Sequence, residues 1–356
     1  MEDFNGKRIA LVRLTAMGDV IHTAASLQFV KAAFPDLRLS WFVEEKFAGI
    51  LEGHPDIDTL IPLDLHRLKK DRSPSGISTL YRRIRAAGPF DLVIDVQGLI
   101  KSAIVARIAG GDVAGLDRSS AREGVASLLY RRRYPVDCAG IAPMRFASLI
   151  AQSLGITITP EMMAAKASCL PVDPDVLPAD AETLFDPTRK NILLVTGASN
   201  ASKTYPPELW VEVVRGLDVH NVLLIAGSEA ERRDAETIAA STHARLLPPL
   251  SLPALKAAVA RGDLLLGGDT GPSHLAWALN RPSLLLFGST PRSMMFETPI
   301  NRALSSGAPV HPCRFDKSDR SIADIRPETI VANAENLLDA AVSLTKASSG
   351  SSHSTL

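Results

Sequence analysis

Cysteine is scarce: Cys138, Cys169 and Cys313 are scattered through 356 residues, with no CxxC pair and no metal-ligand spacing. That excludes a disulfide framework or a zinc ribbon and points to a reducing, cytosolic compartment. Net charge is also lacking. Lys plus Arg and Asp plus Glu balance at 39 each, so the chain as a whole is not a nucleic-acid binder by charge. No window approaches the roughly 20 apolar residues that span a bilayer. Met1-Glu2-Asp3 is acidic, and the apolar run after Arg8 is short and broken by Arg13, so no signal peptide is expected. No GxGxxG occurs, which disfavours a nicotinamide or flavin oxidoreductase. GxSxG and HExxH are missing too, and nucleotide chemistry without a cofactor or a tightly bound metal is the expectation.

What is present is hydrophobic bulk, 46% of the chain, enough for two domains. The charge is unevenly spread. Residues 1–150 carry 21 Lys and Arg against 17 Asp and Glu, a net of +4, and residues 151–356 carry 18 against 22, a net of −4. The first half is therefore expected to meet something anionic.

The stretch Lys7–Thr23, KRIALVRLTAMGDVIHT, reads as strand, tight loop and helix. Arg8–Leu14 suits a buried parallel strand, and Val20–Ala33 has helical spacing ending before Pro35. The loop between them carries Gly18 and Asp19. In an open parallel sheet such a loop faces the ligand crevice. Two roles are open to Asp19, a general base or a helix N-cap.

The same plan recurs. Leu37–Val43 and Thr59–Leu63 are predicted strands. Seven basic residues lie between Pro62 and Pro89, including Arg67, Lys69 and Lys70, as a solvated helical face or as a grip on an anionic substrate. Asp91–Val96 is a strand, and Gln97–Ser102, with Lys101, is the turn into another helix. Arg122 and the triplet Arg131–Arg133 follow. Between Thr157 and Arg189 five prolines weaken the pattern and mark a boundary. Beyond it, strands are predicted at Asn191–Thr196, Asn221–Ala226, Asp263–Gly267 and Ser283–Phe287, with helices between them and a final one over Pro327–Lys346. Two βα-alternating halves imply two doubly wound α/β domains facing a central cleft. The division is 1–170, a linker 171–189, 190–346, and a disordered tail 347–356.

Gly197-Ala-Ser-Asn-Ala-Ser-Lys203-Thr204 follows a strand and misses the P-loop only by Ser202. Pro206 and Pro207 come within the next turn and would remove the hydrogen bonds of a P-loop helix. The helix is predicted to start at one of these prolines. Lys203 is left in a loop, either exposed or neutralising a diphosphate. Gly267-Gly-Asp269-Thr270-Gly271-Pro-Ser-His274 places glycines and a hydroxyl before a helix, a phosphate site of amides and dipole. Asp269 has the alternative of capping that helix, and His274 that of packing in the core. Glu231, after the strand VLLIA, can accept bonds from a ribose diol or simply favour a helix N-terminus.

Together TAMGDVIHT (15–23), WFVEEKFAGI (41–50), DVQGLIKSA (95–103), SSAREGVASLLY (119–130) and GGDTGPSHLAWAL (267–279) resemble glycosyltransferase family 9, the bacterial lipopolysaccharide heptosyltransferases. The Met-Gly-Asp and Gln-Gly-Leu-Ile-Lys-Ser forms favour the branch that adds the first heptose. The resemblance implies a GT-B fold, with the acceptor on the N-terminal domain and the sugar nucleotide on the C-terminal one. It implies ADP-heptose as donor, Kdo2-lipid A as acceptor, no nucleic acid, and a peripheral position on the cytoplasmic face of the inner membrane. Asp19 resembles the catalytic base. Gly18, Ser199, Lys203, Glu231, Asp269, Thr270, Gly271 and His274 fall on the donor side. Arg67, Lys69, Lys70, Lys101 and Arg122 fall on the acceptor side. Where the family often has two threonines before the donor Lys, this chain has Ala198 and Ser199. Ile141-Ala-Pro-Met-Arg145 replaces a common helix start on the acceptor side. A second heptosyltransferase, a member using another nucleotide sugar, and a GT-B sugar-nucleotide epimerase remain open.

Overall fold

In the computed structural model the described residues are 2–67, 73–198, 200–313 and 316–350, the last ten as backbone only. The chain divides into two compact units, Met1–Pro171 and Val172–Leu356. Each is built on a six-stranded parallel sheet.

In the first unit the strands are β1 (Arg8–Val12), β2 (Arg38–Glu44), β3 (Thr59–Leu63), β4 (Leu92–Asp95), β5 (Asp112–Leu116) and β6 (Arg132–Tyr134), in the order β3-β2-β1-β4-β5-β6. In the second they are β7 (Asn191–Val195), β8 (Asn221–Ile225), β9 (Arg245–Leu246), β10 (Leu264–Gly268), β11 (Ser283–Phe287) and β12 (Asn301–Ser305), in the order β12-β11-β10-β7-β8-β9. Both orders are those of a doubly wound nucleotide-binding sheet. Each reverses direction once, between β1 and β4 and between β7 and β10. Ligands of such sheets bind outside the carboxyl ends of the strands at that reversal.

The central strands RIALV, LVID, NILLV and SLLLF are almost wholly buried, as expected where helices cover both faces of a sheet. In the first unit one face packs Ala10, Val12, Phe42 and Val93 against Ile84, Ala103, Ala106 and Ala126. In the second, Ile192, Leu194, Leu224 and Leu266 pack against Trp210, Val213, Ile330 and Leu337.

Several elements differ from expectation. The single helix predicted over Val20–Ala33 is two, Met17–Ala24 and Leu27–Ala33, broken at Ala25-Ser26. The basic stretch before Pro89 contains a helix, Pro74–Ala87, whose N-cap Ser73 accepts from the Gly76 amide at 3.1 Å. β6, β9 and β12 carry polar residues and sit at or near sheet edges, where burial does not impose an apolar run. The last helix continues to Gly350, past its expected end at Lys346. The helix Pro207–Gly216 begins as predicted, with Pro206 as its N-cap. Among the described residues, no helix is long and apolar enough to cross a membrane.

Candidate active site

At the reversal of the first sheet, residues 13–16 join β1 to the helix Met17–Ala24. Asp19 is therefore not in the loop but the third residue of the helix, and the N-cap is Ala16. The capping alternative survives only in modified form, since Asp19 Oδ2 accepts from the Ala16 amide at 3.4 Å. The same oxygen is ion-paired to the buried Arg13 guanidinium. Oδ1 makes no bond among the described residues, and the side chain is 28% exposed. The carboxylate is thus held by one oxygen and presents the other. Gly18 lies beside it, half-buried.

Arg13 is fixed on three sides. It donates to the Val96 carbonyl at 2.8 Å, bonds Asp19, and stacks its guanidinium over the Phe146 ring at 4.2 Å. Burial lowers its pKa, and the charges of Asp19 and Asp95 oppose that shift. Arg145 is also largely buried and feels Asp19. Its pKa is lowered by burial, and its Nε has no bond partner among the described residues. Gln97 Oε1 accepts from the Leu14 and Thr15 amides at 2.8 and 3.3 Å, tying the end of β4 to the end of β1.

Below this, Asp95 is fully buried and accepts from the Gln97 amide at 2.9 Å, the Ser102 hydroxyl at 2.8 Å and the Tyr130 hydroxyl at 2.6 Å. Burial raises the pKa of both Asp95 and Tyr130. The knot fixes the turn into the helix Ile100–Ala109. Lys101 leaves that turn and its Nζ reaches Thr15 Oγ1 at 3.4 Å. Glu123 Oε2 accepts the Ile100 amide at 2.6 Å, which brings the 119–124 segment alongside, and the Arg122 charge reaches Arg13. The structure therefore gathers Asp19, Lys101 and Arg122. Arg67 is exposed after β3, where its amide donates to Asp64 Oδ1 at 2.8 Å. Lys69 and Lys70 lie outside the described residues.

At the reversal of the second sheet, Lys203 closes a single turn, Ala201–Lys203, whose N-cap is Asn200. Its Nζ donates to Asp269 Oδ2 at 2.5 Å, and His274 Nε2 lies 3.1 Å from Asp269 Oδ1. The Asp269 carboxylate is only 4% exposed and Lys203 20%. Asp269 is not a helix cap, because the helix His274–Ala278 is preceded by Ser273 at that position. Burial alone would raise its pKa. The His274 bond and the Lys203 charge overcome that and hold it well below the usual carboxylate range. Asp269 thus meets Lys203 and His274 rather than the solvent. The half-buried Thr270 and Gly271 turn over the same corner. Ser199 lies outside the described residues.

Two glycines make this corner possible. A Cβ on Gly268 would meet the Lys203 carbonyl oxygen at 2.5 Å, and one on Gly197 would meet Glu231 Cγ at 2.0 Å. Glu231 thus lies across the end of β7. Its Oε2 accepts the Gly227 and Ser228 amides at 2.6 and 3.0 Å, while Oε1 makes no bond among the described residues.

Two expected outcomes follow locally. Gly197→Ala should displace Glu231 and, if Glu231 holds the ribose as the resemblance implies, weaken ADP binding by about tenfold, a loss of one good hydrogen-bonded contact, readable by calorimetry. Asp269→Asn should destabilise the second unit by about 3 kcal/mol, because Lys203 loses a buried partner. A folded pKa below the unfolded one means that this stability is full above about pH 4 and is lost as pH falls below it. Urea unfolding between pH 3 and 7 should show the gap between wild type and variant closing at the acid end.

Sequence reasoning missed Arg13, Gln97 and Arg145 as parts of the site. The signal for Arg13 was visible, since a cation inside a buried strand needs a partner. Among the described residues, no group of three or more His, Cys, Asp or Glu is placed to hold a metal ion.

A model of glycosyltransferase family 9 (heptosyltransferase) matches residues 77–309. The lipopolysaccharide heptosyltransferase 1 of Campylobacter coli is 33% identical, over 93% of this chain and 98% of that protein. That of Pseudomonas aeruginosa is 36% identical, over 90% and 92%. Among solved structures, the E. coli heptosyltransferase WaaC with ADP superposes with a TM-score of 0.75 at 26% identity, over 93% of this chain and 99% of that one. The same enzyme with ADP-2-deoxy-2-fluoro heptose gives 0.73 at 27%, over 92% and 99%.

Proposed function

This chain belongs to glycosyltransferase family 9, the heptosyltransferases, and from that premise we propose that it transfers L-glycero-D-manno-heptose from ADP-heptose to a Kdo hydroxyl of Kdo2-lipid A. The observation that carries the reading is the pair of chemically distinct half-sites, each at the reversal of its own sheet. One presents a carboxylate among cations. The other presents a cation beside a loop of small residues.

The reaction is a single inverting displacement. Asp19 Oδ1 takes the proton of the acceptor hydroxyl. That oxygen attacks the anomeric carbon on the face opposite ADP. The bond to the diphosphate breaks with its electron pair, giving an α-heptoside and ADP. Arg13 is a positioning residue, because it holds Oδ2 and so turns Oδ1 toward the acceptor. An ammonium has three donors, and Asp269 uses one of those of Lys203. The Lys203 ammonium serves the departing diphosphate, with the amides near Thr270 and Gly271. Asp269 acts through Lys203 and His274, and Glu231 Oε1 takes the ribose hydroxyls. Lys101, Arg122, Arg145, Arg67, Lys69 and Lys70 meet the carboxylates and phosphates of the acceptor. A lipid-borne acceptor places the enzyme peripherally on the cytoplasmic face of the inner membrane.

The test is ADP release from ADP-heptose with and without Kdo2-lipid A. Acceptor-dependent release, with one heptose added to the lipid mass, supports the proposal. Release without any acceptor would point to an epimerase instead. Release only with an acceptor that already bears heptose would point to a second heptosyltransferase.

A further inference from the structure

One face of the first unit is built unlike the rest of the surface. The helices Pro74–Ala87 and Ile100–Ala109 and the turn Gly124–Leu129 lie side by side on one side of the sheet. Their inner residues, Leu80, Ile84, Ala103, Ala106, Ala126 and Leu129, pack into the core. Among their outer residues are large apolar side chains that such elements do not normally present. Each shows a pair of exposed large apolar side chains at helical spacing: Ile77 (54%) with Tyr81 (50%), Ile100 (42%) with Ile104 (46%), and Val125 (62%) with Leu128 (68%). The three segments contain no acidic residue, and Arg82, Arg83, Arg85, Lys101 and Arg107 are all exposed on them.

We propose that this face docks the protein on a bilayer of anionic phospholipids, the apolar pairs entering the interface and the arginines meeting the phosphates. A lipid surface of negative headgroups repels carboxylates, and these three segments carry none, the adjoining Glu123 being tied to the Ile100 amide. Position supports the same occupant. Ile100 and Lys101 open the helix of the patch, and Lys101 also reaches Thr15 beside Asp19. The patch is therefore continuous with the acceptor half-site, and a docked protein has that half-site at the headgroup level. The inference rests on the proposed function only in taking the acceptor to be lipid-borne.

The experiment is flotation of the full chain with vesicles of phosphatidylglycerol and phosphatidylethanolamine, and with phosphatidylcholine alone. Binding is expected to the first and not to the second. Leu128→Glu with Ile104→Glu should reduce it about tenfold or more, and Arg82→Ala with Arg83→Ala about fivefold per charge. Val219→Glu, at an equally exposed apolar residue (66%) of the other unit, should leave it unchanged. All these variants should keep wild-type turnover on a soluble, deacylated Kdo acceptor, which separates docking from catalysis. Turnover without vesicle binding by the wild type would overturn the docking proposal alone. So would equal binding by Leu128→Glu, or a wild-type dimer that this substitution dissociates. Loss of turnover on both acceptors would instead overturn the proposed function.

Discussion

Asp19→Asn is expected to lower kcat for acceptor-dependent ADP release by about a thousandfold, the middle of the range for removal of a general base. The donor Kd should change by less than about twofold, because the proposed donor contacts centre on the other half-site. The geometry supports the split. Only Oδ1 of the carboxylate is open, and Oδ2 is committed to Arg13 and the Ala16 amide. An Asn can keep the Oδ2 contacts but cannot accept a proton at neutral pH. Arg13→Met should give a smaller loss, about a hundredfold, by releasing the carboxylate from its orientation. It also removes a cation from above the Phe146 ring, so thermal unfolding must be followed alongside. Rate assays for turnover and ADP titration calorimetry for affinity check both variants. A near-normal rate for Asp19→Asn would remove the base from the mechanism.

Where the chain alternates apolar runs with helical spacing, it announces its own fold. NILLV, NVLLI and SLLLF could only be buried strands, and the prolines at 206 and 207 decided where the next helix starts. Asp19 and Lys203 stand out in the sequence because each is a charge just past the carboxyl end of such a strand. What stayed hidden was pairing through space. Lys203 and Asp269 are 66 residues apart, and Arg13 meets the Val96 carbonyl across 83. Local sequence cannot reveal such contacts, because they arise only when strand order brings β1 to β4 and β7 to β10. The break between Met17–Ala24 and Leu27–Ala33 was hidden for a different reason. Ala25 and Ser26 tolerate both helix and turn, so helical spacing carried on through them. The edge strand β12, NRALS, was missed because an edge position leaves its outer residues wet.

Lys203→Met is expected to lower kcat by about a hundredfold to a thousandfold and to weaken ADP by about tenfold. The larger effect falls on turnover because charge builds on the diphosphate only as its bond to heptose breaks. The substitution keeps the length and apolar stem of the side chain and removes only the charge. The carboxylate of Asp269 remains bonded to His274, so the fold has a remaining partner for it. Its pKa should then rise, since the Lys203 charge is one of the causes that hold it down. The acid-dependent part of the second unit's stability should accordingly be smaller in the variant and be fully lost at a higher pH than in the wild type, because the loss begins at the unfolded value in both and ends at the folded one. Lys203→Arg separates charge from shape. The guanidinium keeps the charge but is a planar fork where an ammonium is compact. It must also pass a backbone so close that Gly268 has no room for a Cβ. Partial rescue of ADP affinity with little rescue of kcat would mean that the diphosphate needs a donor at one point and not merely a positive field. Full rescue of both would reduce Lys203 to a source of charge. Wild-type kcat in Lys203→Met would shift leaving-group stabilisation to the amides around Thr270 and Gly271.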